Sequence, residues 1–94
     1  MLIALSKYTK PEEVVSLIGE HKQFLAECYT RDQLIFSGPR TSKTGGVILA
    51  KLNSEEEFRN LLNQDPLVKK GVAEYDIIEF AIGKCDPNFE CFNK

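Results

Sequence analysis

The order of short apolar runs and helical stripes is the feature that most constrains how this chain can fold. Apolar runs of strand length occur at residues 2–8, 33–37, 46–52 and 72–82. Two segments with apolar residues at helical spacing lie between the first and second runs and between the third and fourth, at about 11–29 and about 55–63. The sequence therefore predicts the element order β-α-β-β-α-β.

Local signals support the ends of these elements. Thr9 followed by Glu12, and Ser54 followed by Glu57, are capping-box patterns that predict the start of each helix. Pro11 also suits a first helical turn. The pairs Gly38-Pro39 and Asp65-Pro66 are predicted to end the second strand and the second helix.

The element order is that of a ferredoxin-like α+β domain, a four-stranded antiparallel sheet with two helices on one face. The 94 residues suffice for one such domain, predicted over 1–83, and an irregular tail over 84–94. Consecutive apolar residues at 47–49 and 77–78 suit strands that are buried on both faces. A chain this short has no third layer to cover the second face, so we predict a homodimer that pairs its sheets.

Charge and hydropathy restrict the partners. The formal net charge is −2 and no block carries a single sign, which predicts no nucleic-acid partner. No apolar stretch approaches the roughly 20 residues that span a bilayer, and the N-terminus has no signal-peptide pattern. We therefore predict no membrane partner and a cytoplasmic location.

The cysteine count argues against a disulfide framework, because the three cysteines, Cys28, Cys85 and Cys91, are an odd number. We predict a buried Cys28 and two free thiols in the tail. Cys85 and Cys91 lack a second Cys/His pair, so we predict no metal site.

His21 is the only histidine and lies on or beside the apolar stripe of the first helix. An imidazole can take and give a proton near neutral pH, and an aspartate against its other nitrogen would orient it. His21 could equally be a core residue satisfied by a backbone carbonyl. Asp65 could orient His21 or could simply cap or end a helix.

Further residues are candidates for binding. Ser37, Gly38 and Pro39 end a strand and could line a pocket, although plain turn chemistry explains them too. Arg40 could receive an anionic group or remain a solvated loop charge. Tyr8 and Tyr75 could place a hydroxyl in the pocket or serve as amphipathic core residues.

Five segments together resemble the YciI-like (YCII-related) proteins: EHKQFL at 20–25, FSGP at 36–39, TGGVI at 44–48, DPLVKKG at 65–71 and EYDIIEF at 74–80. The resemblance covers residues 1–82, and the tail with Cys85 and Cys91 is not part of the pattern. It implies a dimeric α+β barrel with His21 and Asp65 as an active-site pair. The wider group includes isomerases, monooxygenases and haem-dependent peroxidases, and a YciI-like domain is associated with a dehydrochlorinase of a chlorinated hydroquinone.

The functional prediction is therefore a class rather than a reaction. The first hypothesis is an enzyme without a cofactor that uses His21 and Asp65 for acid–base chemistry on a small organic molecule. Isomerisation, elimination and dehydrochlorination suit such a pair. The alternatives are a non-catalytic homodimer that binds a small ligand and a purely structural interaction domain with His21 in its core.

Overall fold

The computed structural model describes residues 1–89 and contains four strands and three helices in that range. The elements are β1 (Leu2–Tyr8), α1 (Pro11–Thr30), β2 (Leu34–Pro39), β3 (Gly46–Ala50), α2 (Glu55–Leu62), α3 (Pro66–Lys69) and β4 (Ala73–Glu79). Cys91 lies outside the described residues. No helix within 1–89 is both long enough and apolar enough to cross a membrane.

The four strands form one antiparallel sheet in the order β2-β3-β1-β4. β1 is central, and it pairs Ile3 with Leu49 of β3 on one side and with Ile78 of β4 on the other. This is the predicted ferredoxin-like arrangement, and the prediction of fold class is confirmed.

Alternation along the strands decides which side chains face the helices. Leu2 and Ala4 of β1 are fully buried, and they form a core with Phe58 and Leu62 of α2 and Cys28 of α1. A smaller cluster joins α1 to α3 through Val14, Leu67, Val72 and Ala73. Both long helices thus cover the same face of the sheet.

The other face of the sheet is apolar and partly exposed. We call it the open sheet face; its apolar residues are Ile3, Leu5, Phe36, Val47, Leu49 and Ile78, and the charged residues Lys7, Glu74 and Asp76 lie at one end of it. Phe36 and Ile78 are 53% and 48% exposed. The C-terminal segment lies at one end of this face, where Phe80 and Phe89 line a cavity together with Phe36 and Leu49.

The start of α1 differs from the prediction. Thr9 does not cap the helix, because its hydroxyl donates to the carbonyl of Gly71 at 2.8 Å. Lys10 occupies the N-cap position without a side-chain hydrogen bond, and Pro11 is the first helical residue. The capping box predicted at α2 is present, since the Ser54 hydroxyl accepts the Glu57 N–H at 3.2 Å.

The predicted break at Gly38-Pro39 is wrong, because β2 continues through both residues and pairs Pro39 with Gly46. β2 is an edge strand, and an edge position tolerates a proline that lacks an N–H. Asp65-Pro66 ends α2 as predicted, but the same pair also begins α3, which the sequence analysis missed.

β3 and β4 are shorter than predicted and end at Ala50 and Glu79. Beyond β4, the backbone of Phe80 still exchanges two hydrogen bonds of 3.0 Å with Met1. Residues 80–86 have no regular structure, and residues 87–89 form one turn of 3₁₀ helix.

Candidate functional site

Asp65 is held at the N-terminus of α3 by its own backbone. Its extended φ and ψ of −64° and 127° place it as the N-cap, and Pro66 provides the fixed φ that a first helical residue needs. One carboxylate oxygen, Oδ1, accepts the Leu67 N–H at 3.0 Å. The side chain is fully buried. A buried carboxylate needs hydrogen-bond donors, and the cap supplies only the first of them.

His21 provides the second donor. It lies in the middle of α1, and its Nδ1 is 2.9 Å from both carboxylate oxygens of Asp65. Because an ionised carboxylate only accepts, the proton must be on Nδ1. Nε2 of the neutral ring is then an acceptor, and no other group within residues 1–89 occupies it. The His21 side chain is 15% exposed, so solvent or a ligand can reach the ring.

Tyr75 provides the third donor. It lies on β4, and its hydroxyl donates to Oδ2 of Asp65 at 2.7 Å. The ring is 8% exposed and belongs to the main core. Burial, followed by the charge of Asp65, raises the pKa of the Tyr75 phenol well above its usual range. The hydroxyl therefore keeps its proton and remains a donor to Asp65.

A cavity of about 420 Å³ lies beside this cluster, and His21 and Tyr75 both line it. The opposite wall comes from β2 and β3, and most of the side chains along the cavity are apolar: Ile18, Leu25, Ile48 and Leu67. The polar lining residues include Ser6, Tyr8, Lys22 and Ser37. The cavity suits a small, mainly apolar molecule with a few polar groups.

Ser6 joins the cavity to the central hairpin. Its hydroxyl is 4% exposed and accepts the Gly46 N–H at 2.6 Å. Gly45 must be glycine, because a Cβ there would lie 1.8 Å from the carbonyl oxygen of Ser6. Close contact of these two backbone segments thus fixes Ser6 at the wall of the cavity.

The structure brings together most of the residues that the sequence singled out. His21 and Asp65, 44 positions apart, are hydrogen-bonded. Ser37, Gly38 and Pro39 line the cavity, and the Ser37 hydroxyl is 2.7 Å from that of Tyr29. Arg40 lies in an exposed turn and is not among the lining residues.

Sequence analysis did not single out several residues of the lining, among them Ser6, Ile18 and Lys22. Ser6 lies in an apolar strand at an inward position, and this break in the alternation is the signal that could have identified it. Helical spacing could have identified Ile18, since a residue three positions before His21 lies on the same helix face, whereas no sequence signal pointed to Lys22.

Cys28 is 2% exposed, as predicted, and burial raises the pKa of its thiol above the usual value. Cys28 and Cys85 are both free thiols. Within residues 1–89, no three His, Cys, Asp or Glu side chains converge on a point where they could hold a metal ion.

Known proteins share sequence or fold with this chain. The profile of the family described as YCII-related domain matches residues 1–81. The uncharacterised protein YjpA of Bacillus subtilis is 31% identical over 67 residues, which are 71% of this chain and 79% of YjpA.

A solved structure has a similar fold. The 5-chloro-2-hydroxyhydroquinone dehydrochlorinase TftG of Burkholderia phenoliruptrix, in complex with 2,5-dihydroxybenzoquinone, superposes with a TM-score of 0.64. It is 19% identical, and the match covers 85% of this chain and 93% of TftG. The family match over residues 1–81, together with the similarity to YjpA, shows that this chain belongs to the YCII-related domain family.

Proposed function

We propose that this protein is an enzyme that catalyses proton transfer on a small organic molecule, with His21 as the general base and acid. The observation that carries the proposal is the 2.9 Å contact of His21 Nδ1 with the fully buried Asp65, at the wall of a cavity that the same ring lines. Asp65 fixes the tautomer, so that Nε2 is free to accept a proton from a substrate.

The chemistry follows from the charges. When Nε2 takes a proton from carbon or from a hydroxyl, the imidazolium that forms is stabilised by the Asp65 carboxylate. The same proton can then return to another atom of the substrate, which gives an isomerisation. If the electron pair instead expels a leaving group such as chloride, the result is an elimination. A dehydrochlorination, the reaction for which TftG is named, is an elimination. The similar fold of TftG therefore supports the proposal.

The cavity favours a substrate with an apolar body and a few oxygens. Its volume of about 420 Å³ and its apolar walls suit a single substituted ring. Ser37, Gly38 and Pro39 are the proposed contacts on the β2 wall. Arg40 directly follows Pro39 and is exposed, and we propose it as the contact for an anionic group that extends beyond the cavity.

The test is a substrate screen with the wild type, His21→Ala and Gln23→Ala. The panel contains hydroxylated and halogenated hydroquinones and small enolisable carbonyl compounds. Loss of the base is expected to lower turnover at least about 100-fold. Gln23 is exposed on the same helix and does not line the cavity, so Gln23→Ala is expected to keep the wild-type rate. Equal rates in His21→Ala and wild type on every accepted compound would refute the proposal.

A non-catalytic ligand-binding role is the second candidate. The mostly apolar lining and the open Nε2 acceptor favour it, because such a site can hold a ligand hydroxyl without transferring its proton. This role predicts that His21→Asn still binds the compounds that bind the wild type, and that no bound compound is converted. Detection of a product from a bound ligand would exclude it.

We also propose that the protein works as a homodimer that pairs the open sheet faces. Its apolar side chains form a continuous patch across the four strands, and patches of this kind mark protein contacts. Ile78→Lys places a charge in this patch and is expected to give the mass of one chain in light scattering. Val15→Lys is the matched control, since Val15 is 79% exposed on α1, away from the sheet. A wild-type mass of one chain would refute the dimer.

A further inference from the structure

We infer that Tyr75 is a positioning residue that lowers the proton affinity of His21 by sharing the carboxylate of Asp65. The inference rests on the proposed role of His21 as the base. Tyr75 is not in the pair that the sequence suggested, and its hydroxyl contacts Asp65 at 2.7 Å rather than His21.

The hydrogen bonds fix the carboxylate from two sides. The Leu67 N–H binds Oδ1 at 3.0 Å, and the Tyr75 hydroxyl binds Oδ2 at 2.7 Å. His21 Nδ1 lies 2.9 Å from each oxygen and completes the set. Because the two donors bind different oxygens, they fix the orientation of the carboxylate. The fixed carboxylate in turn sets the orientation of the imidazole ring, whose Nδ1 binds it.

Tyr75 is itself held rigidly. It lies opposite Ser6 in the β1–β4 pairing, and its ring is packed in the main core. The Arg59 guanidinium donates to the Tyr75 carbonyl at 2.7 Å, which ties the strand to α2 at the same residue. The hydroxyl is therefore preorganised to point at Asp65.

The sign of the effect follows from the charge on Asp65. A hydroxyl that donates to the carboxylate stabilises its ionised form and reduces the negative potential at the imidazole. Without that hydroxyl, the imidazolium becomes the principal partner of a fully buried charge, and the pKa of His21 rises. A higher pKa would leave less of the neutral ring that a general base needs at neutral pH.

Other titratable groups also approach this cluster. Lys22 on α1 and Tyr8 on β1 line the cavity with His21. Cys28 interacts electrostatically with Asp65, and the charged Arg59 contacts the Tyr75 backbone. Each of them is unchanged when only the Tyr75 hydroxyl is removed, so that substitution isolates the contact with Asp65.

The experiment is an NMR titration of the His21 ring in the full chain, which contains one histidine and therefore needs no assignment. The variants are Tyr75→Phe and Tyr29→Phe. Tyr29 is a matched control, because its hydroxyl also makes one contact of 2.7 Å, to Ser37 instead of Asp65. Tyr75→Phe is expected to raise the pKa of His21 by about 0.5–1 unit, and Tyr29→Phe by less than about 0.2 unit.

An unchanged or lowered pKa in Tyr75→Phe would overturn the inference, as would an equal rise in both variants. Amide spectra confirm that each variant is folded.

A second measurement uses 3-fluorotyrosine in a chain with Tyr8→Phe and Tyr29→Phe, so that only Tyr75 is fluorinated. The more acidic phenol is a stronger donor, so fluorination is expected to lower the pKa of His21 relative to the same double-substituted chain with ordinary tyrosine. A rise or no change in that pKa would contradict the inference.

The titration separates this inference from the proposed function. If no compound is turned over, the enzyme proposal fails, while a shift of the His21 pKa in Tyr75→Phe still supports the contact through Asp65. If a substrate is found, the acid limb of the pH profile of kcat/KM is expected to move upward in Tyr75→Phe by the same amount as the titration. An unmoved limb would show that Tyr75 does not act on the reacting base.

Discussion

Replacing Asp65 by alanine removes one group that serves both the fold and the candidate site. The substitution deletes the N-cap of α3, which costs about 1 kcal/mol. It also leaves the buried Tyr75 hydroxyl without its acceptor, which costs about 1–3 kcal/mol. His21 contributes less, because its ring is partly exposed and can bind water. We therefore expect Asp65→Ala to lower the free energy of unfolding by about 3 kcal/mol.

The chain contains a matched control for the capping part of this loss. Asp86 also precedes a proline, and its carboxylate also accepts the N–H two residues on, from Asn88 at 2.9 Å. Asp86 is exposed, so Asp86→Ala should lower the free energy of unfolding by only about 0.5 kcal/mol. The excess in Asp65→Ala then measures the buried contacts with His21 and Tyr75.

Urea denaturation followed by circular dichroism measures both variants, at one protein concentration so that any association contributes equally. An unchanged m-value would show that the unfolded states are comparable. Equal losses for Asp65→Ala and Asp86→Ala would refute the reasoning, because they would mean that Asp65 acts only as a helix cap.

Three further measurements test other parts of the structure. Gly45→Ala is expected to lower the free energy of unfolding by about 2–4 kcal/mol, because the new Cβ would lie 1.8 Å from the Ser6 carbonyl oxygen. Gly38→Ala is the control and should change the free energy of unfolding by less than about 1 kcal/mol, because no atom lies within 4 Å of its Cβ position. Folding raises the pKa of Tyr75, so the protonated phenol contributes fully to the free energy of unfolding below the unfolded tyrosine pKa of about 10, and that contribution falls as the pH rises above it. In urea titrations between pH 10 and 11, the free energy of unfolding of the wild type should therefore fall by up to about 1.4 kcal/mol per pH unit more than that of Tyr75→Phe. Buried Cys28, with its raised thiol pKa, should be alkylated by iodoacetamide at pH 8 only after unfolding, as mapped by mass spectrometry; rapid labelling in the native protein would contradict its burial.

Local patterns predicted the elements well where neighbouring residues decide the structure. The helical stripe of α1 and the capping box at Ser54 are examples, because each depends on residues within one or two turns. The prediction failed at Thr9, whose hydroxyl binds a carbonyl 62 residues away. It also failed at Pro39, because only the strand order reveals that β2 is at the edge of the sheet.

The candidate site was predictable in part for the same reason. His21 stood out by its residue type, and the family resemblance selected Asp65. The third member, Tyr75, remained ambiguous, since a tyrosine in an apolar strand is usually a core residue. Its contact with Asp65 depends on the pairing of β4 with β1 and on the fold of α3, and no local pattern encodes either.

Asp65 serves both the fold, as the N-cap of α3, and the candidate site, as the partner of His21, and this affects how the site could be lost in evolution. A descendant that no longer needs the chemistry can replace His21 and still leave Asp65 two hydrogen-bond donors, the Leu67 N–H and the Tyr75 hydroxyl. It cannot as easily replace Asp65, which also caps α3 and satisfies Tyr75. Selection for stability alone would therefore preserve the aspartate after the activity is gone. Among relatives, an aspartate without its histidine would be a vestige of the site, and only the two together would indicate that the site is intact.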